Sequence, residues 1–206
     1  MDIVKDKKQL GIPVESIKLN TDDVADITKI LTTELAGHGD NRVGLSANQV
    51  GLDYRACIVN VNEPLILINP RIISKSKDVV AYHEQCLSID SSMKKPIQVQ
   101  RHTEVTITCD NLGELTFRPT TRKWKDSNDF YSDLGMLESV CVQHEIDHLD
   151  GKLITDNDRR WFVPIKKELT FNRNDKVMIK LENGTTEFMK FKKANVLLKT
   201  NKAELV

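Results

Sequence analysis

The sequence predicts an α+β domain: antiparallel sheets around one central helix, with a small β extension at the C-terminal end. Three observations carry this. Residues 55–117 hold a series of short β-branched runs. Leu137–Leu149 follows with helical rather than strand periodicity. Asn183-Gly184 then separates two apolar runs, a strong short hairpin signal.

The chain of 206 residues is long enough for one domain plus an appendage, and we divide it into residues 1–160 and a C-terminal extension over 161–206. Lysine plus arginine equals aspartate plus glutamate at 30 each, so no overall field draws the chain to DNA or a membrane surface. Met1–Leu10 is charged and lacks an apolar core, and no run reaches the length of a membrane span. A cytoplasmic protein is expected. The four cysteines form no evident disulfide framework, so in a reducing compartment they are thiols, ligands or core residues.

Taken in order, residues 1–20 read as extended or irregular, with a turn at Gly11-Ile12-Pro13. Asn20 or Thr21 caps a helix whose first turn carries Asp22 and Asp23, the favourable sign for its dipole. Val24, Ile27, Ile30, Leu31 and Leu35 form its apolar face, and Gly37 ends it. In Arg42–Gly51 the small residues Gly44, Ser46 and Ala47 permit close approach to the backbone, and Gln49 offers an amide donor. Arg55–Val61 and Pro64–Ile68 are strands, broken at Asn69-Pro70. Arg71–Ser76, Val79–Tyr82, Ile97–Gln100, Glu104–Asp110 and Leu115–Phe117 continue in extended fashion, with a turn at Asn111–Glu114. Arg118–Leu134 is a polar surface loop in which Trp124, Phe130 and Tyr131 are available to dock over the sheet or act as a lid. In the extension, a two-residue turn at Asn183-Gly184 pairs Lys180 with Glu187, Ile179 with Phe188 and Met178 with Met189, and Asn195–Lys199 supplies a further strand.

The central helix carries the chemistry. Leu137, Val140, Cys141, His144 and His148 share one side of it, Asp133 or Ser132 caps its start, and Gly151 follows its end. His144-Glu145-Ile146-Asp147-His148 reads H-E-x-x-H. One turn apart, about 6 Å, the two imidazoles can reach a single metal ion. Glu145 projects beside them, where a carboxylate can take a proton from a water acidified by the ion. Two histidines are two ligands; a catalytic site wants a third and an open fourth position. The metzincin continuation fails at Ile154. Cys141 lies two turns from His148, about 10 Å of rise, and reads as a core residue. Cys86, in Glu84-Gln85-Cys86-Leu87-Ser88, and Glu168, twenty residues after His148, stay open as the third ligand.

Three stretches together resemble a known family. Gly44-Leu45-Ser46-Ala47-Asn48-Gln49, Glu84-Gln85-Cys86-Leu87-Ser88 and Gln143–His148 are similar, in order and spacing, to the peptide deformylase motifs G-Φ-G-Φ-A-A-x-Q, E-G-C-Φ-S and H-E-x-x-H, where Φ is apolar. The resemblance covers about residues 3–160. It departs at Arg42 and Gln85, which stand for glycines near the expected path of the substrate backbone, and at Ser46, which stands for an alanine. Arg118–Leu134 has the look of an insertion, and the residues after 160 differ from the C-terminal helix common in bacterial members.

The resemblance implies a metallohydrolase that removes the formyl group from formyl-methionine at the start of nascent polypeptides and releases formate. It implies Cys86, His144 and His148 as ligands of one divalent ion, Fe(II) in the cell, with zinc, nickel or cobalt also accepted by a thiolate–imidazole set. Glu145 becomes the general base. Gln49 and the Leu87 backbone N–H become oxyanion donors. Val43, Gly44 and Leu45 become the stretch along which substrate lies. The implied partners are N-formylmethionyl peptides and the ribosome, with neither DNA nor a membrane. The setting is the cytoplasm of a bacterium or phage-infected cell, the protein a monomer. Two other readings use the same residues: a zinc endopeptidase with Glu168 as third ligand, and a degenerate deformylase-like domain that binds nascent chains. Intact Glu145 argues against the second.

Overall fold

The computed structural model describes residues 1–16, 18–39, 42–89, 97–120, 133–156, 176–181, 184–190, 192–194, 197 and 203–205. It divides into two units, Met1–Trp161 and Phe162–Val206.

The first unit begins with a one-turn helix, α1 (Lys7–Leu10), where an irregular segment is expected. Asp6 stabilises it by accepting from the Lys8 N–H at 2.8 Å, and Leu10 is buried. Helix α2 (Thr21–Gly37) opens on Asn20, with a reciprocal capping box between Asn20 and Asp23. It buries Ile27, Leu31 and Leu35 against Leu45, Val50, Ala56, Ile58 and Ile68. These belong to, or adjoin, the antiparallel sheet of β1 (Gly44–Ser46), β2 (Ala56–Asn60) and β3 (Pro64–Ile68), ordered β1-β2-β3. Asn69 adopts the left-handed region at φ 50° and turns the chain out of β3, its amide donating to Asp110 at 2.7 Å.

Strands β4 (Arg71–Lys75), β7 (Val105–Cys109) and β8 (Gly113–Phe117) form a second antiparallel sheet. β5 (Val79–Glu84) pairs with β6 (Ile97–His102) in a two-stranded ladder. The alternation in β7 sends Val105, Ile107 and Cys109 inward.

Helix α3 (Leu134–Leu149) runs through the middle, capped by Asp133, whose side chain accepts from the Met136 N–H at 2.9 Å. Thirteen of its sixteen residues are buried, so the single apolar face expected from the sequence understates its setting. Sheets cover it on several sides, and its polar side chains must find protein partners. Gln143 pairs with the backbone of His102 through both amide atoms, at 3.0 and 2.9 Å. Buried Arg55 donates to the Val14, Pro70 and Leu149 carbonyls and to Asp150, tying β2 to the helix C-terminus. The α+β architecture with antiparallel sheets about one central helix is thus as the sequence predicts. Residues 121–132, including Trp124, Phe130 and Tyr131, and with them the lid, lie outside the described residues, as does Glu168.

The second unit contains β9 (Lys176–Leu181), β10 (Thr186–Lys190) and β11 (Ala203–Leu205), ordered β10-β9-β11. The hairpin forms, but one residue out of the expected register: Lys180 faces Thr186, Ile179 faces Glu187 and Met178 faces Phe188. Leu181 donates to the Thr185 carbonyl, and Gly184 takes φ +82° and donates to the Leu181 carbonyl. The connection is therefore three residues long, with glycine at its left-handed position, rather than a two-residue turn. The third strand is Ala203–Leu205, whereas Lys192–Ala194 and Leu197 are helical. Ile179 and Ala194 are the buried centre of this unit's small core.

Candidate metal centre

Helical spacing brings His144 and His148 together with ring centroids 4.9 Å apart. Cys86, just beyond the end of β5, completes the group: the ligand atoms of Cys86, His144 and His148 all lie within 4.8 Å of one another. The Cys86 Sγ is 3.1 Å from His148 Nε2. The His144 Nδ1 donates to Glu84 Oε2 at 2.8 Å, which fixes the ring and leaves its Nε2 for a ligand. Burial, and then the neighbouring His144, lower the pKa of His148, favouring the neutral ring that binds metals. At His144 burial works downward too, but Cys86 and Glu84 outweigh it and raise the pKa, so a cation competes there with a proton. One thiolate and two imidazoles within reach of a common centre fit a divalent transition-metal ion. Cys141 lies elsewhere: burial raises its thiol pKa, and the S–H donates to the Val43 carbonyl at 3.1 Å.

A buried ionic network stands behind the group. Arg101 donates to both oxygens of Glu84, at 2.6 and 2.8 Å, and to Asp147 at 2.5 Å. Burial alone would raise the Glu84 pKa, but the guanidinium more than offsets this and holds it near 2. Glu84 is thus an anion that orients His144. The sequence reading gave neither Arg101 nor Asp147 a role. The signal available is that Arg101 shares the inward register of β6 with Val99, and a charge on that register requires buried partners.

Glu145 is 3% exposed, and its Oε2 has no hydrogen-bond partner among the described residues. Burial is the main cause that raises its pKa to about 7. It faces Gly44 so closely that a β-carbon there would overlap the carboxylate and come within 2.6 Å of Cys141 Sγ. Glycine is therefore required by the approach of the Glu145 carboxylate. Gly44→Ala is expected to lower kcat/KM by about 10²-fold through a displacement of Glu145 on the order of 1 Å. Steady-state rates beside thermal melting check this, and an alanine variant as active as the parent contradicts it.

The Gln49 side chain is held at both ends. Its Oε1 accepts from Ser46 N–H and Oγ, each at 3.0 Å, and its Nε2 donates to Ser88 Oγ at 3.1 Å and faces Cys86 Sγ at 3.4 Å. The Leu87 backbone N–H makes no hydrogen bond among the described residues. Val43 accepts from the Asn60 N–H, so by antiparallel alternation the backbone groups of Gly44 point away from β2, towards the free edge of β1. Val43 lines the cleft, whereas the Leu45 side chain is fully buried in the α2 core and supports the strand from within. The cleft, of about 250 Å³, runs between β1, the end of β5 and one side of α3, and Gln49, Cys86, Leu87, His144 and Glu145 open into it. No helix among the described residues is long and apolar enough to cross a membrane.

Comparison with known proteins agrees with this geometry. Residues 2–161 match the polypeptide deformylase family model. The chain is 32% identical over 168 residues to a peptide deformylase of Pseudoalteromonas translucida, covering 77% of this chain and 88% of that protein. It is 31% identical over 177 residues to one from a Synechococcus strain, covering 81% and 78%. Among solved structures, the deformylase of the Vibrio parahaemolyticus bacteriophage VP16T, in complex with actinonin, superposes with a TM-score of 0.57 at 26% identity, over 75% of this chain and all of that one. Arabidopsis thaliana peptide deformylase 1B shares the fold with a TM-score of 0.61 at 23% identity, over 79% and 82%. The chain belongs to the polypeptide deformylase family, the metal-dependent hydrolases that remove the N-formyl group from nascent polypeptides.

Proposed function

We propose that residues 1–160 form the catalytic domain, that 161–206 are an extension, and that Cys86, His144 and His148 hold one divalent ion, Fe(II) in the cell. The observation that carries this reading is the convergence of those three ligand atoms within 4.8 Å beside buried Glu145. When bound, the ion supplies an acidified water and an electrophile for the formyl oxygen. Glu145 takes the proton of the attacking water at its unpartnered Oε2 and returns it to the leaving amine. A pKa near 7 suits a group that must both accept and give a proton. The Gln49 Nε2 and the Leu87 N–H donate to the oxygen as it gains charge. Bonding by Gly44 at the free edge of β1 lays the substrate along that strand. Formate and a free amino terminus leave.

The substrates are N-formylmethionyl chains as they emerge from the ribosome. The protein works as a monomer in the cytoplasm of a bacterium or phage-infected cell, a setting supported by its bacterial relatives. Its balanced charge gives DNA or a membrane no field to follow.

The test is formate release from formyl-Met-Ala-Ser by protein prepared anaerobically with ferrous iron, beside Gln49→Leu. The parent is expected to turn over, and Gln49→Leu to lose about 10²–10³-fold in kcat. Metal-loaded parent that releases no formate sinks the hydrolase reading and leaves a domain that only binds formylated chains.

A further inference from the structure

Arg42 is a cleft residue that the reaction leaves unused. Its side chain is half-buried and lines the cleft. Among the described residues its guanidinium has no hydrogen-bond or ion-pair partner. The arginines that are buried among the described residues differ: Arg55 pairs with Asp150, and Arg101 with Glu84 and Asp147. A guanidinium carries five donors and no acceptor, so at a half-buried position in the cleft wall it is free to meet an acceptor on a ligand lying there. Neither carboxylate that lines the cleft pairs with Arg42. Glu84 is held by Arg101 and His144, and Glu145 sits against Gly44 beside the metal ligands.

The position of Arg42 along the strand says what would complete it. The ladder with β2 extends past β1, since Asn60 donates to Val43. Arg42 and Gly44, two residues apart, both line the cleft beside α3. Gln49 and Cys86 lie to one side of Gly44, and Arg42 lies to the other, about 7 Å further along. The formyl group reacts at the Cys86 end, so the peptide runs from there past Gly44 towards Arg42. Its second and third residues reach the guanidinium.

We propose that Arg42 is a specificity-determining residue that receives a carboxylate on the second or third residue of the formyl peptide, so that chains acidic at those positions are preferred substrates. This rests on the deformylase reading above. A planar guanidinium meets a carboxylate bidentately, and half-burial strengthens the pair relative to one on open surface.

The test uses the metal-loaded protein and C-terminally amidated peptides, so that no terminal carboxylate imitates the side chain. Formyl-Met-Ala-Glu-NH₂ and formyl-Met-Glu-Ala-NH₂ are compared with their Gln and Lys counterparts. The Glu peptide is expected to exceed the Gln peptide by about tenfold in kcat/KM at one of the two positions, and the Lys peptide to fall below both. The advantage should shrink at 0.5 M salt. Arg42→Gln should bring the Glu-to-Gln ratio close to unity, and Arg42→Glu should invert it. Each ratio is taken within one variant, so partial misfolding cancels. Equilibrium binding of the deformylated products Met-Ala-Glu-NH₂, Met-Glu-Ala-NH₂ and their Lys counterparts reads the same preference without turnover. Acid-selective binding lost in Arg42→Gln, with no formate from any peptide, would overturn the deformylase reading and leave the Arg42 assignment standing. Equal ratios in both assays, or an acid preference that survives Arg42→Gln, would overturn the assignment itself.

Discussion

Glu145→Ala is expected to slow formate release by about 10²–10⁴-fold while the protein still carries one equivalent of metal. The carboxylate stands outside the Cys86–His144–His148 group, so its loss removes a proton acceptor and no ligand. It also removes a buried, partly unsatisfied acid, so the melting temperature should hold or rise. Cys86→Ala makes the contrasting case. Two imidazoles remain, metal content should fall well below one equivalent, and activity should go with it. Metal analysis, steady-state kinetics and melting on the same samples separate the two roles. A Glu145→Ala enzyme within tenfold of the parent would remove Glu145 as the base. A Cys86→Ala protein that keeps its metal would remove Cys86 as a ligand and return Glu168 to consideration.

Arg101→Met is expected to destabilise the protein by about 3–5 kcal/mol, because it leaves two acids buried without their cation. Glu84 is 6% exposed and Asp147 9%, and Arg101 donates to both. For a unit of this size, such a loss lowers the melting temperature by roughly 10 °C. The site should suffer as well. Without Arg101, burial drives the Glu84 carboxyl towards its neutral form, and a neutral acid orients the His144 Nδ1–H less firmly. Metal affinity is therefore expected to fall by about 10–100-fold. Making Glu84→Gln in the same protein removes one of the stranded charges and should recover part of the stability. An Arg101→Met protein that melts with the parent would show that the network contributes no net stability.

Local pattern made much of this protein legible. The 3.6-residue period over Leu137–Leu149 fixed the helix, and the spacing of His144 and His148 within it fixed two imidazoles side by side, because one turn of helix leaves no freedom to separate them. Asn20 and Asp133 marked helix starts, since short polar side chains satisfy the first N–H groups. Alternation gave β7 its inward face, and Asn69-Pro70 marked the break after β3.

Tertiary structure decided the rest. That Cys86 comes within reach of the histidines could not be read from spacing, because it lies about sixty residues before them and only the course of β5 sets where the thiol falls. The burial of α3 on several sides was hidden as well: the periodicity showed one apolar side, whereas Gln143, Glu145 and Asp147 are also buried and meet strand backbone, the cleft and Arg101. The hairpin slipped by one residue because the left-handed glycine closed a three-residue connection, a choice that cross-strand pairing preferences did not dictate. Sequence set what lies within a turn or a strand's length, where covalent geometry enforces the spacing. Distant partners, and the acids that only a buried arginine can hold, followed from how the sheets enclose the helix.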